Sequence, residues 1–287
     1  MKKAFSAIMI LVLLLSLSAC VKKDLQNSKI IITPDIQNAK LSFRNSNDTL
    51  TGVKKAYSEN KNSKFEDYTD KSITEKTINF LGQEFKNVPY TKSSKNPYKL
   101  RDEDIFENDE IRVKTTKSGE IKVFSTKTPF SIFPNESKNS VELAKKYLNA
   151  IMPDFKYDQV YEREIYYSEN TWYTFGNIVD GIRTSESVTI SLNSKGEFQY
   201  FSSFDVGMYD NIEIKGVDEE LYLKKLDEFI KNTYGDTIKA YRIGENGPVY
   251  EIYNENKLEL LLPIEIDYVT PDGEKITYAE YIAFELN

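Results

Sequence analysis

Ile111-Arg112-Val113-Lys114-Thr115-Thr116-Lys117-Ser118-Gly119-Glu120-Ile121-Lys122-Val123-Phe124-Ser125 is the stretch that decides the fold, because the chain repeats it. Val188-Thr189-Ile190-Ser191-Leu192-Asn193-Ser194-Lys195-Gly196-Glu197-Phe198-Gln199-Tyr200-Phe201-Ser202 can be laid on it so that the apolar positions, the Gly-Glu pair and the closing Phe-Ser coincide. A third copy reads Ile264-Glu265-Ile266-Asp267-Tyr268, then Pro271-Asp272-Gly273-Glu274, then Ile276-Thr277-Tyr278. The glycines fall at 119, 196 and 273, both intervals being 77 residues, and equal spacing marks an internal repeat. Apolar and polar residues alternate on each side of the glycine, as half-buried strands require. Glycine at the end of a short loop lets a type I turn be followed by a left-handed residue, which joins two strands at little steric cost. Each copy therefore reads as a β-hairpin. The Glu after each Gly is either a solvent-facing strand residue or one of three acids lining a surface.

Moving outward, Ser140 is placed to cap a helix over 141–151, whose apolar residues recur at three and four and which Pro153 ends. A second helix is expected over 217–234, with Leu221, Leu223, Leu226, Phe229 and Ile230 as its buried stripe and Gly235 as its stop. Strand-like runs at 159–167 and 171–178 lie between helix and hairpin in the second unit, and 238–243 and 249–253 take the same places in the third. The first unit offers strands at 78–85 and 88–93 and no convincing helix ahead of them. The expected fold class is α+β, as tandem repeats of one helix packed on a roughly four-stranded antiparallel sheet. The expected domains are a degenerate repeat over 51–135 and two fuller ones over 136–212 and 213–287.

The N-terminus carries a different signal. Lys2 and Lys3 precede an apolar run from residue 4 to 17, and Leu17-Ser18-Ala19-Cys20 follows at once. A positive stretch, a short apolar core and small residues at the cleavage point mark a secretory signal over 1–19. The run is too short to span a bilayer core of roughly 30 Å comfortably. Leu-Ser-Ala-Cys also resembles the lipobox of bacterial lipoproteins, which implies cleavage between Ala19 and Cys20 and a diacylglyceryl anchor on Cys20, whose freed amine is open to palmitate or another acyl chain. Two or more chains make such anchoring stable. The expected location is the extracytoplasmic side of the cell membrane, with membrane lipid as the partner of Cys20. Residues 20–50 are polar and irregular and read as a flexible tether. Ile30-Ile31-Ile32, closed by Pro34, is instead able to dock as a short edge strand.

Composition narrows the chemistry. Loss of residues 1–19 removes two lysines and no acid, so the net charge moves from −7 to −9 over the 268 residues that remain. An acidic chain is a poor match for nucleic acid, which needs clustered Lys and Arg, and gains nothing from an anionic membrane surface. With 20 Tyr and 16 Phe the chain has ample material for a core, and aromatic weight favours strands. There is no histidine, which excludes Ser-His-Asp and Cys-His catalysis and imidazole metal sites. The single cysteine is taken by the lipid, which excludes disulfides and a thiol nucleophile. No cofactor and no metal site is expected.

The helix-plus-meander unit resembles the PepSY-like domains of Firmicutes cell-envelope proteins, particularly the YcdB type. Ala144-Lys145-Lys146-Tyr147-Leu148, Trp172-Tyr173-Thr174-Phe175, Gly181-Ile182 and the hairpin over 188–202 carry the likeness. It covers roughly 138–287, and 75–130 more faintly. Asn193 stands where the family has Asp, and the third copy has an extra loop residue. The resemblance implies a tandem α+β fold in secreted or membrane-anchored proteins that bind or restrain peptidases, and it supplies no catalytic residue.

Two further clusters draw attention. Asp102-Glu103-Asp104 with Glu107, Asp109 and Glu110 is rich enough in carboxylates for calcium but lacks ligand spacing and a central glycine, so a solvated loop is expected. The aromatic stretch Tyr161, Tyr166, Tyr167, Trp172, Tyr173 and Phe175 offers a groove for peptide or glycan, with Tyr166, Trp172, Tyr173 and Phe175 as the candidate binding face; on alternating strands half of them belong in the core. The expectation is a non-enzymatic binding module, acting on a peptidase or another envelope protein through a sheet face or edge. The alternatives are a solute- or signal-sensing lipoprotein with a pocket and, less favoured, a hydrolase with two acids in a cleft.

Overall fold

All three repeated stretches turn back on themselves as hairpins in the computed structural model, which describes residues 30–43, 66–96, 101–136, 138–164, 169–235, 238–245, 247–253, 257–269, 273 and 275–286. In chain order the elements begin with β1 (Ile30–Ile32), β2 (Lys40–Phe43), β3 (Glu66–Tyr68), β4 (Glu75–Phe80), β5 (Gln83–Asn96), β6 (Arg101–Glu107), β7 (Ile111–Thr116) and β8 (Ile121–Phe130). They continue through α1 (Val141–Ile151), β9 (Gln159–Glu164), β10 (Asn170–Val179), β11 (Ile182–Asn193), β12 (Phe198–Phe204) and β13 (Ile212–Ile214). Last come α2 (Glu219–Tyr234), β14 (Ile238–Ile243), β15 (Val249–Tyr253), β16 (Lys257–Val269) and β17 (Lys275–Glu285). The repeated hairpins are β7–β8, β11–β12 and β16–β17.

These hairpins do not belong to separate helix-on-sheet units, and the expected α+β tandem repeat is overturned. Strand accounts for 57% and helix for 13%, with only two helices among the described residues, and fifteen strands join one mixed sheet. The cause lies at the hairpin edges. A lone hairpin exposes a row of unpaired N–H and C=O groups, which is unfavourable unless another strand covers it. Here the next copy covers it. β8 pairs antiparallel with β12, setting Phe124 opposite Phe201, and β11 pairs parallel with β15 through Arg183–Val249 and Thr184–Tyr250. The path runs β2-β17-β16-β15-β11-β12-β8-β7-β6-β5-β3, with β10 and β9 branching from β11, β14 beside β16 and β4 beside β5.

Two cores lie against this sheet. Under α1, which Ser140 caps by accepting from Leu143 N–H at 3.2 Å, Leu143, Ala144, Tyr147 and Leu148 are buried against an aromatic cluster. Phe80 stacks on Phe124 at 4.3 Å and 10°, and Phe198 sits 5.5 Å from Tyr147. Under α2 the buried residues are Tyr222, Leu226, Ile230 and Tyr234, one every fourth position. The expected stripe holds at Leu226 and Ile230, which are fully buried, and at Leu221 and Phe229, which pack against the same core; Leu223 alone stays 36% exposed, and Tyr222 and Tyr234 complete the face by turning inward onto Phe284 and Phe43.

Three more local expectations are corrected. The supposed tether is part of the fold over 30–43: β1 pairs parallel with β13, β2 pairs with β17, and Phe43 is buried. Ala19 and Cys20 lie outside the described residues. The run 78–85 is cut by a two-residue turn at Leu81 and Gly82, with φ of 50° and 75°, the conformation that suits a tight hairpin. The acidic run 102–107 is not a loop but most of strand β6, where its carboxylates face Lys114, Lys117 and Arg112 from neighbouring positions.

The three hairpin glycines are not equivalent. Gly119, Gly196 and Gly273 all hold positive φ, but a Cβ at Gly196 would stand 2.7 Å from Leu143 Cδ2 on α1, whereas one at Gly273 meets nothing within 4 Å. Asn193 reinforces that second turn by accepting from the Lys195 and Glu197 N–H groups at 3.0 and 2.9 Å. Gly196→Ala should cost about 2–4 kcal/mol, the sum of a left-handed backbone and an overpacked contact. Gly273→Ala should cost about 1–2 kcal/mol, for the backbone alone. Chemical denaturation of the two variants checks the order.

Candidate functional site

Where the first hairpin meets the second unit, the surface opens into a cleft of about 1350 Å³. Its floor is apolar, with Phe80 from the end of β4, Ile121 at the start of β8, Ile151 from the end of α1 and Phe201 from β12. Its rim carries Glu120 from the β7–β8 turn, Asp154 and Lys156 from the loop after α1, and Asp210 from the loop after β12. Each of these segments is held by its own local chemistry. Phe155 and Tyr157 fasten the loop after α1, with Tyr157 standing edge-on to buried Phe175 at 5.0 Å. In the loop after β12, Ser185 Oγ donates to Asp205 at 2.6 Å and lies 3.0 Å from Tyr209 Oη, which in turn donates to the Tyr250 carbonyl at 2.9 Å. Burial of Tyr209 pushes its phenol well above the ordinary range, so it remains a donor.

Glu186 lies at the inner end of the cleft and is only 2% exposed. Asn177 Nδ2 donates to Oε2 at 2.9 Å and the Gly207 N–H donates to Oε1 at 2.6 Å. Burial raises the pKa of this carboxyl, and the charges of Asp210 and Asp205 add to the shift against the two hydrogen bonds. Each oxygen thus accepts one hydrogen bond from the protein. The residue shapes and charges the floor. Its position was readable in part: Glu186 shares the inward phase of β11 with Val188, Ile190 and Leu192, and an acid in an apolar register is a signal. The sequence reading missed it, and nothing local singles out Asp210.

A second polar cluster resembles nucleophile chemistry only at first sight. Ser93 Oγ and Lys117 Nζ each donate to Asp104 Oδ1 at 2.6 Å, and Tyr90 Oη lies 2.7 Å from Ser93 Oγ. A Ser–Lys pair serves in catalysis when the amine is neutral. Burial would lower the Lys117 pKa, but the hydrogen bonds to Asp104 and Tyr68 and the nearby charges outweigh it, so the ammonium is held. Ser93 is fully buried as well. The cluster ties β5, β6 and the β7–β8 turn together.

The candidate binding face does not assemble. Tyr173 and Phe175 are 1% and 0% exposed and belong to the core under α1. Trp172 points to the opposite face of β10, half-buried against Tyr200 at 4.6 Å, because neighbouring strand residues face opposite ways. Tyr166 lies outside the described residues. Among those described, no group of His, Cys, Asp and Glu could hold a metal ion. Of the acids that follow the repeat glycines, Glu197 accepts from Asn193 Nδ2 at 2.7 Å, and Glu120 reaches the cleft.

Because the folded Glu186 carboxyl takes up a proton more readily than the unfolded one, its cost is absent below the unfolded value of 4.5 and develops as pH rises through the higher folded value. Stability should therefore fall across that window in the wild type. Glu186→Gln should flatten the fall, with Asn177 turning its amide to keep the contact. Thermal unfolding from acid to neutral pH checks this, and parallel curves for the two proteins would contradict it.

Comparison with protein-family models, with curated proteins and with solved structures finds no match to this chain.

Proposed function

We propose that the chain is a lipid-anchored extracytoplasmic binding protein, tethered through Cys20, which receives its ligand or partner in the cleft and performs no chemistry on it. The cleft carries this reading. It is concave, built on well-packed elements, apolar on its floor and polar at its rim, as binding sites are. The flat alternative is less suited. The outer face of the sheet is lined by half-buried Trp172, Thr174, Thr189 and Ser202, where Thr174 and Thr189 spend their hydroxyls on each other at 3.0 Å. Envelope proteins, peptidases among them, are the class of partner in keeping with an extracytoplasmic location. Among the described residues no helix is long and apolar enough to cross a membrane. Attachment is assigned to acyl chains on Cys20, where two chains bind stably and one alone does not.

Two experiments test the two parts. Cells fed an alkyne-bearing fatty acid should label the wild-type protein. Cys20→Ala should abolish the label and shift the protein from the membrane to the soluble fraction; unchanged fractionation would contradict the anchor. A photo-crosslinking amino acid at Ala150, an exposed cleft residue, should give specific adducts in native membranes, while the same group at Ser202 should not. Adducts from position 202 alone would move the binding surface to the outer sheet face.

A further inference from the structure

We infer that the cleft accepts a basic peptide segment in which Lys or Arg alternates with apolar residues, an inference that rests on the cleft being the binding site. Three observations point the same way. The described lining residues include four carboxylates, Glu120, Asp154, Glu186 and Asp210, against the single lysine Lys156. Glu120 is balanced by Lys122 Nζ at 2.6 Å, but Asp154, Glu186 and Asp210 have no ion-pair partner among the described residues. The C-terminal end of α1 also opens here, through Ala150, Ile151 and Met152, and carries no basic residue in its last turn. A helix C-terminus presents unpaired carbonyls equivalent to about half a negative charge, and an uncompensated one favours a cation. The site thus concentrates negative potential that Lys122 and Lys156 offset only in part, and Asp210 and Asp205 already act against ionisation of Glu186.

Size and floor decide between a small amine and a peptide. Small-molecule sites span roughly 300–1000 Å³, and this cleft, at about 1350 Å³, exceeds that range. Phe80, Ile121, Ile151 and Phe201 give it an apolar floor that a hydrophilic polyamine would leave bare. A segment with cationic side chains toward the rim and apolar ones toward the floor satisfies both.

The test is fluorescence anisotropy on the full chain in detergent, with labelled Lys-Phe-Lys-Leu-Lys-Phe and its counterpart with Glu at each Lys. The basic peptide should bind about tenfold or more tightly than the acidic one. Asp154→Asn with Asp210→Asn should weaken it by about three- to tenfold, as loss of two partly exposed charges implies, and added salt should weaken it further. Both aspartates are exposed, so thermal unfolding should confirm that the double variant is folded. Ala150→Trp, which projects an indole into the cleft from the end of α1, should weaken binding sharply. Failure of the basic peptide to bind, affinity unaffected by the double variant, or displacement by spermidine at equal affinity would each overturn the inference. If the acidic peptide binds instead and Ala150→Trp blocks it, the inference falls while the cleft stands as the binding site.

Discussion

The antiparallel pairing of β8 with β12 is the interaction on which the rest of the molecule depends. It places Phe124 opposite Phe201 and so brings the first hairpin against the second. Phe80 then stacks on Phe124 at 4.3 Å and lies tilted at 5.6 Å from both Phe198 and Phe201 beneath α1. Each fully buried aromatic side chain contributes about 1.5–3 kcal/mol by leaving water, and well-oriented ring pairs add about 0.5–1.5 kcal/mol. The same contact creates the cleft. Phe201 and Ile121 floor it from the two paired strands, while Phe80 and Ile151 reach in from the ends of β4 and α1. A fold of independent units would have had no such seam.

Polar chemistry then holds the rim in place. The chain Asp205–Ser185–Tyr209–Tyr250 carbonyl fixes the loop that bears Gly207 and Asp210, and it links β11 to β15 where those strands run parallel. Asp104, buried with Lys117 and Ser93 as partners, does the same for the β7–β8 turn that carries Glu120. Buried polar groups specify one arrangement when their partners are all present. Rigid elements therefore present the cleft's carboxylates, which is what a preformed binding site needs.

Much of the local structure was legible in the residues, and little of the long-range structure. Alternation and the Gly-Glu turns located the hairpins, and Ser140 with Pro153 bounded α1 to the residue, because those signals act over a few positions. Continuity of the sheet was not legible. Which hairpin edge meets which depends on partners about 77 residues away, and a local pattern is the same whether a strand is central or at an edge. The buried face of α2 was legible at Leu226 and Ile230 but not at Tyr222 and Tyr234, because tyrosine is amphipathic and its burial depends on distant partners. Trp172-Tyr173-Thr174-Phe175 could never have formed a single face, since adjacent strand residues point apart. The segment 30–43 read as tether apart from Ile30–Ile32, whose docking as a short strand is seen in its pairing with β13, while Ile36, Ala39 and Phe43 join the core that contains Ile230 and Phe284. The cleft itself was invisible to sequence reading, being assembled from six segments, though the inward phase of Glu186 marked one of its walls.

The central claim is that the seam between the first two hairpins is the working surface. Hydrogen–deuterium exchange of the membrane-reconstituted protein, with and without the crosslinked partner's isolated binding segment, tests it most directly. Slowed exchange confined to 150–156 and 206–210, with β9 and the outer edges unchanged, is the expected result. Protection on β9 and β10 with none around the cleft would contradict it.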